Sequence, residues 1–440
     1  MAASDPNRRA IWSWALYDFA NSAFTTLVIT FIYATYFTKG IAIDENTGTQ
    51  QWSLAITLTA ILVALLAPLL GAYADRTGTR KRFLFISTAI AIGGTALLFF
   101  PQQGQIWFAL SIVVIANVAF EITNVFYNAF LPEIAPPDKI GRVSGFGWAL
   151  GYLGGLVCMV IALVVFVQPE TPLFGLEKET GANVRATNLL VAVWFALFSI
   201  PAFLFLKEPK PEGPIEKQGL IASTFGELRR TASEIGRYKE IVRLLVARLF
   251  YNDGLVTVFA FGGIYAAGTF GFTFEQILVF GIVLNVAAGL GAFAFGFIDD
   301  KLGGRTTILI SLVALSIATL IAVLGQTPMM LWIAGVLLGI AAGPNQAASR
   351  SLLGRFVPPD KETEFYGFFA FSGKLTAFMG PLLLGQLTAM FDSQRIGVSA
   401  VLVFFLIGGI LLMRVNESEG IRLSGRAEAA NADLTDAPSL

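Results

Sequence analysis

Apolar runs long enough to cross a lipid bilayer recur from residue 11 to residue 414, and no other feature limits the possible folds so strongly. A hydrocarbon core of roughly 30 Å takes about 20 helical residues, and inside it every backbone amide must be paired within the chain. Helices meet that demand locally. The runs fall at 11 to 37, 52 to 74, 83 to 101, 106 to 130, 142 to 167, 188 to 206, 241 to 267, 275 to 297, 306 to 325, 329 to 352, 364 to 389 and 394 to 414. They predict an all-α integral membrane protein of about twelve transmembrane helices. With 55% hydrophobic and 14% charged residues and a mean hydropathy of +0.70, the composition is that of a chain whose solvent is lipid.

Lys and Arg are retained on the cytoplasmic side during insertion, so their distribution gives orientation. With the N-terminus inside, 25 of the 30 basic residues fall in cytoplasmic loops or ends. Lys39, Lys178, Arg185 and Arg395 face outward, and Lys374 lies within a span. The formal net charge of zero is therefore no guide to partners; the basic loops set topology, and no nucleic-acid partner is expected. Arg8 and Arg9 before an apolar stretch also fit the start of a secretory signal, but Asp18 and Asn21 interrupt the apolar run and no small-residue cleavage site follows. Histidine is absent, which excludes imidazole-dependent catalysis or metal binding, and the single Cys158 excludes an intramolecular disulfide. No nucleophile with a paired base and no phosphate-cradling loop is found. The chain is expected to be neither an enzyme nor a holder of metal or cofactor.

An internal repeat lies at a spacing near 225 residues. Gly71-Ala-Tyr-Ala-Asp75-Arg76-Thr-Gly78-Thr-Arg80 is matched by Gly296-Phe-Ile-Asp-Asp300-Lys301-Leu-Gly303-Gly-Arg305. Pro136-Pro137-Asp138-Lys139 is matched by Pro358-Pro359-Asp360-Lys361, and Gly145 by Gly367. Both pairs follow the second and fourth helix of each half, on the same side in both, so the halves are parallel repeats. The expected domains are a six-helix bundle over 1–206, a charged cytoplasmic linker over 207–240, a second six-helix bundle over 241–414 and a disordered cytoplasmic tail over 415–440. The second part of the linker has a basic amphipathic pattern suited to a membrane surface.

The loop Gly71-x-x-x-Asp75-Arg76-x-Gly78-x-Arg80 resembles the motif that major facilitator transporters carry after their second helix. Gly78 permits a tight turn, and Asp75 can meet the positive N-terminus of a neighbouring helix, giving a latch made in one conformation and broken in another. Together with Asp300 and Arg305 of the repeat, Gly71, Asp75, Arg76, Gly78 and Arg80 are the expected latch residues. Thr79 and Tyr73 depart from the usual basic residue and Leu, which predicts a weaker latch in the first half. Gly147-x-x-x-Gly151-x-x-Gly154-Gly155 resembles a glycine motif of major facilitator antiporters, with Tyr152 in place of the usual Pro; close helix packing accounts for it equally well. Trp14-Ala-Leu-Tyr17-Asp18-Phe19-Ala20-Asn21-Ser22-Ala23-Phe24, together with Gly145 to Gly155, resembles the autophagy-related vacuole effluxer branch of the superfamily. That resemblance covers essentially all twelve spans. It implies a major facilitator fold of two pseudo-symmetric bundles and, because eukaryotic members are linked to amino-acid release from vacuoles, an amino-acid-like substrate.

Ionisable residues within a membrane are functional candidates by default. The first predicted helix carries Asp18, Asn21, Ser22 and Thr25 on one face, and the fourth carries Asn117, Glu121, Asn124 and Asn128. The seventh has Arg248, Tyr251, Asn252 and Asp253, and the tenth Asn345, Gln346, Ser349 and Arg350. By resemblance these four helices line the central cavity. Asn21, Asn117, Asn124, Asn128, Asn252, Asn345, Gln346 and Lys374 are the expected substrate-binding residues, and Asp18, Glu121 and Asp253 the expected proton-coupling ones. Counting about 1.5 Å per residue puts Asp18 roughly 10 Å and Glu121 roughly 13 Å above their cytoplasmic ends, at similar depth. Arg248 and Arg350 fit either the site or interfacial anchoring. Carboxylates in one half and cations in the other suit a zwitterion. The expected function is proton-coupled efflux of a small polar or zwitterionic solute by alternating access, by a monomer in contact with membrane lipid. Transport of a sugar, drug or lipid, or a membrane sensor, is the alternative. The expected location is a bacterial cytoplasmic membrane with both termini inside, a vacuolar membrane being the other reading.

Overall fold

The computed structural model describes residues 6–170, 175–208 and 236–426 and, within the linker, 224, 226, 229–231 and 233; the rest of the expected linker and the tail from 427 lie outside the described residues. No strand occurs among the described residues. The first span begins as α1 (Pro6–Ala23) and widens to a π-helix over Phe24–Phe31. It returns to α over Ile32–Tyr36 and is π-helical again over Phe37–Ile41. There follow α2 (Glu45–Thr77), α3 (Arg80–Leu97), α4 (Ile106–Ala129), α5 (Ile140–Ala162) and α6 (Ala182–Phe205). The second set comprises α7 (Lys239–Phe270), α8 (Phe274–Leu302), α9 (Gly304–Leu324), α10 (Pro328–Phe356), α11a (Glu362–Lys374), α11b (Met379–Phe391) and α12 (Gln394–Met413), with a short α13 (Glu417–Leu423) beyond.

Among the described residues, eleven helices are long and apolar enough to cross a membrane, counting α11a and α11b as one. The remaining helix of the expected twelve is α3. Its 18 residues begin with Arg80, Lys81 and Arg82, which shortens the uncharged part of a helix only about 27 Å long. Apolar stripes at helical spacing lie open on the helix surfaces, as on α2 with Leu54, Leu58, Ile61 and Leu65 and on α6 with Val193, Leu197, Ile200 and Leu204. Side chains this apolar and this exposed face lipid in a membrane protein.

The chain divides into two compact units. The first holds residues 1–66, 79–127 and 147–209; the second holds 67–78, 128–146 and 210–440. The boundary expected at residue 206 is therefore not where the contacts divide the chain. The end of α2 and the stretch from Asn128 into the start of α5 belong to the second unit, held there by the glycine crossings and carboxylate caps described below. The tail expected to be disordered from 415 is ordered as far as 426. Asn416 caps α13 by accepting from the Glu419 amide, and Arg426 pairs with Glu362 at 2.6 Å.

Small residues decide how closely the helices approach. In the first unit α5 packs on α1: a methyl at Gly151 would sit 2.7 Å from Ser22 Oγ, and one at Gly154 would fall on the Phe19 carbonyl. The glycine motif in α5 is thus accounted for by backbone approach to α1. Cys158 is buried in the same helix and unbridged. In the second unit α8 meets α10 in the same manner, with Gly339 against the Leu284 carbonyl and Gly343 against that of Ala288. Gly154→Ala is expected to lower the thermal transition of the purified protein, through overpacking of about 1–3 kcal/mol. Gly93→Ala, where an added methyl meets nothing within 4 Å, should be neutral or stabilising by up to about 1 kcal/mol. Equal behaviour of the two in a melting experiment contradicts the packing account.

Candidate functional site

In the first unit, the polar stripes of α1 and α4 meet. Asn21 Nδ2 donates to Asn124 Oδ1 at 3.2 Å. Trp14 Nε1 donates to the Tyr127 carbonyl at 2.9 Å, Tyr17 stacks on Tyr127 with ring centres 4.9 Å apart, and Phe24 meets Phe120 at 4.8 Å. Rising residue numbers on α1 thus oppose falling ones on α4. This antiparallel register places Asp18 opposite Tyr127 and Glu121 opposite Phe24, so the carboxylates lie on either side of the asparagine pair, about 9 Å apart along the helix axes. The expectation that they share one layer is corrected by this register: counting from each helix end ignored how the two helices slide past one another. Asp18 and Asn117 are buried, and Glu121 is half-buried. The π-helical stretch of the first span starts at Phe24, after Ser22, so Thr25, the last residue of the expected stripe, lies within the widened turns and is exposed.

In the second unit, the eleventh span is not the continuous helix expected over 364 to 389. It breaks between Lys374 and Met379. Pro381 has no amide hydrogen and is tolerated in the first turn of α11b, while Gly373 and Gly380 weaken helix on either side. A broken helix exposes unpaired carbonyls at one end and amides at the other, and α7 answers both. Arg248 Nη1 donates to the Phe369 carbonyl at 2.8 Å and to Ser372 Oγ at 3.0 Å, and its guanidinium lies 3.6 Å from the Phe369 ring centre. Asn252 Nδ2 donates to the Gly373 carbonyl at 3.2 Å. One residue on, Asp253 Oδ2 accepts from the Gly380 amide at 3.2 Å. The cation therefore meets the negative end of α11a and the carboxylate the positive end of α11b. Thr376, within the break, donates to the Leu249 carbonyl at 3.1 Å. Asp253 Oδ1 is buried without a hydrogen-bond partner. Lys374, half-buried, is the last residue of α11a.

The polar residues of α10 are joined to the same unit. Tyr251 on α7 shares a hydrogen bond of 2.8 Å with Ser349, and Asn345 Nδ2 donates to Ser311 of α9 at 2.9 Å while its Oδ1 has no partner. Gln346 is half-buried. Arg350 is buried and does not anchor at an interface: it donates to Ser144 Oγ at 2.9 Å, to the Ser144 carbonyl at 2.7 Å and to Asn128 Oδ1 at 3.2 Å. Asn128, expected to bind substrate, accepts this guanidinium instead.

The two repeated loops form matching caps, both within the second unit. Asp75 accepts from the amides of Thr363 at 3.1 Å and Glu364 at 2.7 Å, at the start of α11a. Asp300 accepts from the amides of Gly141 at 2.8 Å and Arg142 at 3.3 Å, at the start of α5. Gly71 allows the first approach, since an added methyl would fall on the Thr363 carbonyl, and Gly296 allows the second, with Arg142 Cα 2.8 Å from where a methyl would be. Gly78 has φ +62°, as a tight turn requires. The caps differ in charge. Arg142 Nε also donates to Asp300 Oδ2 at 2.6 Å, and Arg355 pairs with Asp299 at 2.6 Å and lies 3.7 Å from Asp300, with Ser351 donating to Asp299. Where the second cap has Arg142, the first has Glu364, which pairs with Lys361 at 3.3 Å.

Carboxylates also cap the third helix of each set. Glu208 accepts from the Lys81 amide at 2.9 Å, while Lys81 Nζ donates to the Leu206 carbonyl at 2.6 Å. Desolvation pushes the Glu208 carboxyl above its usual range, against the pull of the Lys81 amide and of the Lys81 and Arg80 charges. Glu417 accepts from the amides of Gly304 and Arg305, each at 2.9 Å. Arg305 donates to the Leu412 and Met413 carbonyls, so it ties α9 to the end of α12 rather than serving the Asp300 cap. Arg80 is buried and Arg76 half-buried. Sequence reasoning missed Arg142, Arg355, Glu208 and Glu417, whose partners are distant in sequence. Asp300→Asn is expected to destabilise by about 2–3 kcal/mol, because it weakens the cap on the Gly141 and Arg142 amides and also unpairs the Arg142 side chain. An unchanged melting temperature in Asp300→Asn contradicts the capping role.

The family model described as "Vacuole effluxer Atg22 like" matches residues 6–424. An uncharacterized MFS-type transporter of Bacillus subtilis, YxiO, is 28% identical over 418 residues, covering 94% of this chain and 96% of that protein. Autophagy-related protein 22-1 of Aspergillus fumigatus is 25% identical over 314 residues, covering 65% of this chain and half the length of the fungal protein. Among solved structures, the proton:xylose symporter XylE superposes with a TM-score of 0.70 at 12% identity, covering 96% of this chain and 98% of that one. The human organic anion transporter MFSD10 gives 0.69 at 16% identity, covering 93% and 100%. These likenesses give the fold of a multi-pass transporter, not of an enzyme. The chain belongs to the Atg22-like vacuole effluxer family of major facilitator superfamily transporters.

Proposed function

We propose that this transporter moves a small polar or zwitterionic solute by alternating access, driven by protons, with both termini in the cytoplasm. The break in the eleventh span carries the reading. Discontinuous helices mark substrate and coupling-ion sites in secondary transporters, because their free ends present fixed partial charges at membrane depth. Here Lys374 stands at the break, with Arg248, Asn252 and Asp253 of α7 beside its two ends. An ammonium at this depth suits a substrate carboxylate. Asp253 suits the proton: one oxygen takes the Gly380 amide and the other has no partner, so uptake and loss of a proton need not break the amide contact. Asp18 and Glu121 offer further carboxylates on α1 and α4. The solved neighbours are compatible with this reading, one being a proton symporter and one an organic anion transporter.

The test is thermal stabilisation of the purified protein against amino acids, sugars, organic acids and lipophilic cations, repeated with Lys374→Ala. A ligand that binds only the folded state raises the transition temperature. The expected result is a shift with amino acids that Lys374→Ala weakens, its apparent affinity falling by about 10–100-fold. A sugar or lipophilic-cation shift that survives the substitution overturns the substrate class. In proteoliposomes, Asp253→Asn is expected to abolish proton-driven uptake while leaving counterflow exchange intact. Unchanged pH dependence in Asp253→Asn, Asp18→Asn and Glu121→Gln alike removes the proton-coupling proposal.

A further inference from the structure

A cavity away from the break in the eleventh span lies where α7 and α9 begin and α8 and α12 end. It is open to the surface, measures about 830 Å³ and is lined by Arg243, Lys301, Arg305, Arg414 and Glu417 among its charged groups. Its charges do not balance. Arg243 is paired with Glu240 at 2.6 Å. Glu417 also lines it, but its two oxygens take the two α9 amides and lie beside Arg355 at 3.7 Å, and it has no ion pair with Lys301, Arg305 or Arg414 among the described residues. Arg305 donates to backbone carbonyls, which orient the guanidinium without neutralising it. Lys301 and Arg414 are exposed, and among the described residues their side chains have neither a hydrogen bond nor an ion pair. Three positive charges thus face one cavity with no carboxylate assigned to them.

The walls beside these cations are apolar. Leu302 is 56% exposed, Met413 55% and Ile421 39%, and all three line the cavity. Leu302 and Met413 are the last residues of membrane-crossing helices, which puts them at headgroup depth. A soluble anion would gain nothing from this apolar rim. A phospholipid brings a phosphate for the cations and a glycerol and acyl region for Leu302 and Met413.

We propose that this cavity binds the headgroup of an anionic phospholipid, with Lys301, Arg305 and Arg414 on its phosphate. Because four helices and α13 converge there, with α13 holding Glu417 on α9, the bound lipid braces the end of the second unit. The experiment is native mass spectrometry of the delipidated full chain titrated with phosphatidylglycerol, phosphatidylcholine or inorganic phosphate. Phosphatidylglycerol is expected to bind at least about tenfold more tightly than phosphatidylcholine, and a Lys301→Gln, Arg414→Gln double variant to lose about tenfold in that affinity. Lys139→Gln, an exposed basic residue away from the cavity, serves as control and should bind normally. If the double variant does not fold, Lys301→Gln alone should still lose several-fold, because its side chain holds no structural contact. Equal binding of the two lipids, unchanged binding by the variants, or inorganic phosphate binding as tightly as the lipid overturns the proposal.

Discussion

The described residues are mostly helix, so the peptide groups without partners are at helix ends, and the structure depends on several of those ends finding a charged side chain of opposite sign. Asp75 and Asp300 take the amides that open α11a and α5; Glu208 and Glu417 take those that open α3 and α9. Arg305 takes the carbonyls that close α12. Near a bilayer, water is scarce and an uncapped end is costly, so these contacts fix which helix terminates beside which. The glycine crossings at Gly71 and Gly296 matter for the same reason, since the carboxylates reach the amides only if the backbones come close enough.

The broken eleventh span extends this logic into the membrane. Breaking a helix there frees carbonyls at one end and amides at the other. Arg248, Asn252 and Asp253 lie within six residues of one another on α7 and serve both ends, the first two donating to carbonyls of α11a and Asp253 accepting from an amide of α11b. In the proposed site a scaffold demand and a ligand demand coincide: the groups that stabilise the break are the ones proposed to meet substrate and proton.

Spans and repeats were legible in the sequence because hydropathy and motif spacing are local signals. The seventh helix, expected at 241 to 267, runs Lys239–Phe270, and the paired aspartates found by their spacing both cap helices. What was not legible is pairing across hundreds of residues. Residues 415–426 have no apolar period and read as tail, yet Glu417 and Arg426 hold them through Gly304 and Glu362. Asn128 has the chemistry of a substrate ligand, and only the fold reveals that Arg350 occupies it. The break after Lys374 left a signal in Gly373, Gly380 and Pro381, but the apolar run across it masked the interruption. Similarly, polar residues on α1 and α4 were found by their period, while the register between the two helices was not, since no residue count within one helix sets its slide against another.

The π-helical stretch over Phe24–Phe31 constrains the first span in a further way. A widened turn holds one residue more than an α-turn, so everything after it is rotated by about 100° relative to an uninterrupted helix. The stripe of Asp18, Asn21 and Ser22 faces α4 and α5 before the widening, and the buried Tyr33 and Phe37 come after it. Deleting a single residue between them would leave composition and hydropathy nearly unchanged, yet turn one set of side chains away from its neighbours. The length of this segment therefore specifies the protein as firmly as any residue in it.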